Sequence, residues 1–576
     1  MSIPSRVLGT GEFEVEIERG VPVPMRDGTV LRADVYRPAA NGRFPVLVER
    51  VGYELGARVG AYGPYYAQRG YAVVGQNVRG AYASEGELVP FRDDGSGTHQ
   101  DGYDTVEWAA AQPWSNGNVG MLDGSYSGFT QYLVAPTRPP HLRALSPREG
   151  GGDLYRDWVF RDGANQLYFT RSWTLQTCLG WLSHPAAGAM AAAARERLEH
   201  ALSEGLDPLL AHLPLNECAP LMGLPLARWY FEHLSHPDDG AYWQALRMTT
   251  LYAEVDVPVL HIAGWFDFFQ GGTLRMFQGL QAHARSEAAR RAQRLVIGPW
   301  VHGPAAAGQR QAGEVDFGSD AIFDLHAHRL RWYDYWLKGV ANGAMDGPPV
   351  RAFLMGANRW LELDSWPPAG VTYRPLFLHQ GTGASAGSLS FDRPGAAEAP
   401  DSFTYDPREP VPSLIVYPQL GPKDHRPVED RVLSYTSDVL ETDLVVAGPV
   451  TANLHASSSA PDTDWIVRLC DVWPDGRSMS VCDGILRARY RESLMHATLL
   501  TPGEVYEFQV DLWSTAQVFK AGHRLRVHVT SSDFPRYDRN LNTGGPFGTE
   551  SHSAIAVNTV FHDAVRPSHL ALPILL

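Results

Sequence analysis

The sequence predicts an α/β domain split by a helical insertion and followed by a β-sandwich. Three observations predict it. Apolar strand-like runs alternate with helix-like ones up to about Ser146, an alanine-rich stretch with helical spacing interrupts them, and short β-rich runs with turns fill the chain beyond about Pro348. At 576 residues, with 44% apolar and 11% aromatic side chains, the chain is too long for one core and rich enough to build several. The expected parts are residues 1–146, a first α/β segment; 147–246, a helical cap; 247–348, a second α/β segment; and 349–576, the sandwich.

Met25-Arg26-Asp27-Gly28-Thr29, between β-rich runs, reads as the turn of an antiparallel hairpin on the sheet's edge. Pro45 to Val48, Tyr71 to Val74 and Val119 to Leu122 are short apolar strands, and Thr105 to Ala111 is helix-like. Directly after the third strand comes Asp123-Gly124-Ser125-Tyr126-Ser127-Gly128, which runs into Phe129 to Ala135. That is strand, tight turn, helix. A sharp turn lifts a serine hydroxyl clear of the sheet, while the first amides of the new helix can receive a developing oxyanion. Asp123 is the unusual residue, because a nucleophile elbow ordinarily carries glycine two residues before its serine. Either the turn is widened or Asp123 faces outward. Taken alone, the string reads more readily as a polar loop.

The cap follows. Ala186 to Ala201 is alanine-rich with Arg and Glu, and its apolar residues fall at helical spacing. The aromatics Trp158, Phe160, Tyr168, Phe169, Trp173 and Trp181 serve either as core or as pocket wall, core being the commoner role. Glu149 and Asp153, at the start of the cap, are carboxylates that could hold a substrate ammonium. The sheet resumes at Val257 to Phe266, a continuous apolar run of the kind buried on both faces, and Asp267 stands at its end. The next strand, Arg294 to Ile297, leads through Gly298-Pro299-Trp300-Val301 to His302. A serine, an acid and a histidine at successive strand ends follow the chain order of an α/β-hydrolase fold and point to acyl transfer to water. Asp267 would fix the histidine tautomer, and His302 would be the general base.

Beyond Pro348, flexible stretches at Gly381 to Gly387 and Pro394 to Pro400 precede short strands at Thr451 to Ala456, Trp465 to Leu469, Tyr506 to Val510 and Leu525 to Val529. Repeated short strands with turns imply a β-sandwich. A formal net charge of −15 and the lack of any basic run exclude nucleic acid and anionic membrane as partners. The start, Met1 to Arg6, lacks the apolar core of a signal peptide, and no stretch is apolar enough to span a bilayer, so the cytoplasm is the expected location. The four cysteines, Cys178, Cys218, Cys470 and Cys482, are scattered without metal-ligand spacing. Reduced thiols are expected, with no metal and no cofactor.

These strings, together with Gly70 to Val74, Arg79-Gly80, Ala83 to Gly86, Asp104-Thr105, Asn116 to Met121, Asp462-Thr463-Asp464 and Asp533 to Asn540, resemble one hydrolase family across nearly the whole chain. It contains bacterial cocaine esterases, Xaa-Pro dipeptidyl-peptidases and α-amino acid ester hydrolases. The resemblance implies an α/β-hydrolase fold with a helical cap insertion and a C-terminal jelly-roll β-sandwich. It implies Ser125 as nucleophile, His302 as base and Asp267 as acid, with the oxyanion held by the Tyr126 amide and the Tyr53 phenol. It also puts aromatic pocket walls at Trp158 and Phe269 and has the C-terminal domain reach the acyl pocket near Val416 and Tyr417. The implied substrate is a small-molecule carboxylic ester. Dipeptidyl-peptidase, α-amino ester hydrolase and acyltransferase activities stay open, as does a catalytically dead carbohydrate-binding-type protein whose Asp123 has spoiled the elbow. A homodimer is left open as well.

Overall fold

The computed structural model describes residues 5–7, 11–95, 97–184, 188, 190–303, 305–383 and 386–576. Of the stretches singled out above, Met1 to Pro4, Ala186-Ala187, Ala189 and Ala384-Ser385 lie outside them.

Eleven strands form the first sheet: β1 (Ser5–Val7), β2 (Val15–Pro24), β3 (Val30–Pro38), β4 (Phe44–Val51), β5 (Ala72–Asn77), β6 (Ser115–Gly124), β7 (Leu142–Arg148), β8 (Val259–Phe266), β9 (Gln293–Val301), β10 (Val350–Leu354) and β11 (Arg359–Leu363). Their spatial order is β1-β2-β3-β5-β4-β6-β7-β8-β9-β10-β11. β2 and β3 make the antiparallel edge hairpin, and its turn is closed by Met25 N–H donating to Thr29 O at 2.8 Å. From β5 through β10 every pairing is parallel, which requires cover on both faces. β4 and β5 accordingly bury nearly every residue. Helices α1 (Asp101–Ala110), α2 (Tyr126–Val134), α4 (Gln270–His283) and α5 (Leu325–Lys338) connect the strands, and α3 (Leu167–Trp181) is the longest helix between β7 and β8. Connections of this kind leave ligand sites at the carboxyl ends of the parallel strands.

The boundary expected at 348 falls just before β10. β10 and β11 still belong to the first sheet, with Leu295 of β9 opposite Val350 of β10. Short strands and turns look alike on either side of a domain border, so periodicity could not assign them. A second sheet system of eleven strands follows, running from Val371 to Leu575 and almost wholly antiparallel, around a core that includes Trp465, Phe508 and Phe519. The two units share an apolar cluster of Trp265, Phe277, Phe353, Trp366, Ala516 and Val518. Met355 also exchanges backbone hydrogen bonds with Ala516 and Val518, each 2.9 Å. The C-terminal unit is thereby fixed beside the carboxyl ends of β8 and β9. Among the described residues, no helix is long and apolar enough to cross a membrane.

Candidate active site

Ser125 stands between β6 and α2 with φ +59° and ψ −124°. Such a backbone costs of order 1–3 kcal/mol for a residue with a Cβ and persists only where its surroundings enforce it. Here the Ser125 N–H donates to Arg148 O at 2.9 Å, and its carbonyl accepts from Gly128 N at 2.8 Å and Phe129 N at 3.2 Å. The two flanking glycines are sterically required: a Cβ at Gly124 would lie 2.7 Å from Arg148 O, and one at Gly128 2.8 Å from the same oxygen. The turn lifts the hydroxyl to 3.0 Å from His302 Nε2. His302, the residue after β9, has its Nδ1 3.1 Å from Asp267 Oδ1. Asp267 follows β8, is buried, and also accepts the Phe269 N–H at 2.8 Å. With the Nδ1 proton directed to Asp267, Nε2 is left to accept the serine O–H.

Tyr53 follows β4, and its backbone carbonyl is held by Asn77 Nδ2 at 2.7 Å. Its phenol oxygen accepts the indole N–H of Trp173 at 2.7 Å, so the phenol proton is free to point toward Ser125. Burial pushes the Tyr53 phenol above its ordinary value, against the opposing hydrogen bonds with Trp173 and Ser125. It remains a donor through neutral pH. The Tyr126 amide is the first of α2, where backbone N–H groups have no intrahelical acceptor.

Asp123 does not face outward. It is buried with φ +80°, and its carboxylate accepts from Arg58 Nη2 at 2.9 Å and Arg329 Nη1 at 3.4 Å, with Arg148 Nη2 at 3.6 Å. Burial alone would raise its pKa, but the guanidinium groups of Arg58, Arg148 and Arg329 hold it well below the carboxylate range. Arg58 also donates through Nε to Glu49 at 2.5 Å, and Arg148 bonds Glu149. Buried charges thus alternate in sign from Glu49 under the elbow to Glu149 beside the histidine. Arg58, Arg148 and Arg329 carried no sequence signal, since nothing in the spacing of a lone arginine marks it as a buried counter-ion.

Ser125, His302 and Tyr53 open on a cavity of about 270 Å³. Its aromatic walls are Phe169 and Trp173 from α3, Phe268, and Tyr417 from the C-terminal unit, whose ring lies 6.3 Å from that of His302. Trp158, Phe269 and Val416 do not line it. Trp158 and Phe269 are fully packed, stacked on each other at 5.3 Å, and form the layer behind the wall. At each place a neighbour in the chain or in space takes the wall position: Trp173 sits in front of Trp158, Phe268 takes the place of Phe269, and Tyr417 that of Val416. Of the two acids at the start of the cap, Glu149 lines the cavity, whereas Asp153 is turned away and pairs with Arg247 at 2.9 Å.

One cluster among the described residues, Glu149, Asp267 and His302, brings three metal-type ligands within 4.8 Å of one another. The Arg148 guanidinium on Glu149 opposes a cation there, and the hydrogen bonds already given account for the arrangement. The four cysteines are unpaired, and burial pushes the Cys178 and Cys470 thiols up to about 12, which makes them inert.

Residues 27–304 match the X-Pro dipeptidyl-peptidase (S15 family) and residues 342–571 the X-Pro dipeptidyl-peptidase C-terminal non-catalytic domain. A cocaine esterase of Rhodococcus sp. (strain MB1 Bresler) is 37% identical over 97% of this chain and 98% of its own length. The chain belongs to the S15 family. Two solved structures have the same architecture throughout. An aminopeptidase from a marine sediment Thaumarchaeota archaeon superposes with TM-score 0.81 at 27% identity, covering 100% of this chain and 99% of its own. An α-amino acid ester hydrolase does so with TM-score 0.80 at 26% identity, covering 99% and 98%. The S15 match contains Ser125, Asp267 and His302, and the C-terminal match contains Tyr417. This S15 chain therefore has the α/β-hydrolase fold with a helical insertion and a C-terminal β-sandwich.

Proposed function

We propose that the protein is a serine carboxylesterase that cleaves small acyl or aryl esters through an acyl-enzyme. The observation that carries this reading is the contact series Ser125 Oγ, His302 Nε2, His302 Nδ1, Asp267 Oδ1 at 3.0 and 3.1 Å, opening on a cavity walled in part by aromatic rings. In this scheme His302 takes the Ser125 proton as the hydroxyl attacks the ester carbonyl. The oxyanion is received by the Tyr126 N–H and the Tyr53 O–H, and the alcohol leaves with the proton from His302. Water repeats the sequence on the acyl group. The 37% identity to a cocaine esterase supports ester rather than peptide chemistry.

The cavity also weighs against an α-amino substrate. Its one carboxylate outside the triad, Glu149, is already engaged by Arg148 and the Gly303 N–H, so an ammonium finds no free anion. A cavity of about 270 Å³ falls just under the usual range for drug-sized ligands, which favours a small acyl group. Four unpaired cysteines suit a reducing compartment, and we place the enzyme in the cytoplasm.

Product release from p-nitrophenyl acetate, butyrate, benzoate and an α-amino acyl ester tests the reading. Plain esters are expected to be preferred over the α-amino ester; the reverse order would make the protein an α-amino ester hydrolase or peptidase. Added alcohol or amine diverting the product would make it an acyltransferase. Tyr53→Phe, which removes one oxyanion donor and leaves the ring, is expected to lower kcat about 10²-fold with little change in KM. Unchanged turnover would remove Tyr53 from the scheme.

A further inference from the structure

The histidine has two carboxylates on the same nitrogen. Asp267 Oδ1 lies 3.1 Å from His302 Nδ1, and Glu149 Oε2 lies 3.5 Å from it. Glu149 is held there with unusual firmness. It follows β7 with φ +50°, its N–H donates to Ile262 O of β8 at 2.8 Å, and its side chain is 2% exposed. The same Oε2 accepts the Gly303 N–H at 3.0 Å, while Arg148 Nη1, bonded to Glu149, donates to Gly303 O at 2.9 Å. Both peptide groups of the residue after the histidine are therefore gripped by the Arg148-Glu149 pair. Asp267, by contrast, has one buried oxygen, Oδ2, without a hydrogen-bond partner.

We propose that Glu149 is a positioning residue for His302 and a reserve acid, able to take the Nδ1–H when Asp267 is lost. This rests on the esterase reading above. Closing 3.5 Å to an ordinary hydrogen bond needs a movement of about half an ångström, within the reach of a small ring rotation that keeps Nε2 on Ser125. Even at its present distance the second anion favours the imidazolium that forms as the serine attacks. The groups facing His302 are the Ser125 hydroxyl, Asp267, Glu149 with Arg148 behind it, and the Tyr417 ring. Arg148 Nη1 and the Gly303 N–H both bond this same Oε2 and offset part of its charge, and the oxygen still faces the imidazole.

The test measures kcat, KM and the pH–rate profile with the best p-nitrophenyl ester for wild type, Glu149→Gln, Asp267→Ala, the double variant and Ser125→Ala. Glu149→Gln is expected to lower kcat about 10-fold with KM within about two-fold, and to move the acid limb to lower pH because an anion beside the imidazole is gone. Glu149→Asp, which restores the charge, is expected to return the limb toward wild type. Asp267→Ala is expected to keep at least about 10-fold more activity than Ser125→Ala, and adding Glu149→Gln to it should remove that remainder. A double variant no slower than Asp267→Ala overturns the proposal, as does an acid limb that Glu149→Gln leaves in place. Full activity in Ser125→Ala overturns the esterase reading itself, and the proposal with it.

Discussion

Ester turnover by a Ser125→Ala protein is expected to fall by about 10⁴-fold or more, with the fold intact. The loss is large because the Ser125 oxygen is the one protein atom in the scheme that becomes bonded to the acyl carbon. Without it, the Tyr53 phenol and the Tyr126 amide still polarise the carbonyl, but His302 has only water to activate. The fold survives because the bonds by which Ser125 itself holds the elbow use its backbone: the N–H to Arg148 O, and the carbonyl to the amides of Gly128 and Phe129. Alanine tolerates φ +59° no worse than serine does. Stopped-flow release from a p-nitrophenyl ester, with mass spectrometry of the quenched protein, reads both turnover and the acyl adduct. A wild type with no adduct and no Ser125-dependent release would favour a binding protein with a spoiled elbow.

Asp123→Ala is expected to destabilise the α/β domain by about 3–5 kcal/mol, among the largest effects open to a single side chain here. Arg58, Arg148 and Arg329 all turn toward this carboxylate, and its removal takes the carboxylate from the buried Arg329 and leaves the buried Arg148 and the half-buried Arg58 with Glu149 and Glu49 alone. Asp123→Gly separates charge from backbone. Glycine accepts φ +80° without strain, so a glycine variant as unstable as the alanine one assigns the loss to the charge. A glycine variant as stable as wild type would assign it to the turn. The carboxyl is held below its ordinary range by the three arginines, which outweigh its burial. Its stabilisation is therefore complete above the unfolded value of about 4 and is lost as pH falls toward the lower folded value. Urea midpoints of wild type and Asp123→Ala should converge as the pH drops below about 4.

The α/β architecture and the meeting of Ser125, Asp267 and His302 were legible because each rests on a short local pattern: an apolar strand ending at the residue that matters. Ser125, Asp267 and His302 could be named from strand ends and chain order alone. Asp123 was legible as an anomaly but not as a solution, because its three arginine partners lie before, after and far beyond it in the chain. The pocket walls misled for a different reason. An aromatic that faces a cavity and one that packs behind it look alike in a sequence, so nothing local separates Phe269 from Phe268 or Trp158 from Trp173, of which the second in each pair lines the cavity. In the sequence Glu149 reads only as a carboxylate that could hold a substrate ammonium. Its approach to His302 depends on how β7 and β8 lie side by side, which no local pattern encodes.

The cavity wall that Tyr417 supplies has a consequence for how the enzyme comes off the ribosome. Tyr53 and Ser125 are made early, Asp267 and His302 only after the whole cap, and Tyr417 more than a hundred residues later still. A nascent chain that has folded its first strands presents an elbow serine with no base beside it. Even once His302 has emerged, the cavity lacks its Tyr417 wall until the C-terminal unit docks through Trp366 and Ala516. Domains generally fold as units during synthesis. The complete cavity, with its Tyr417 wall, therefore exists only after most of the chain has been made.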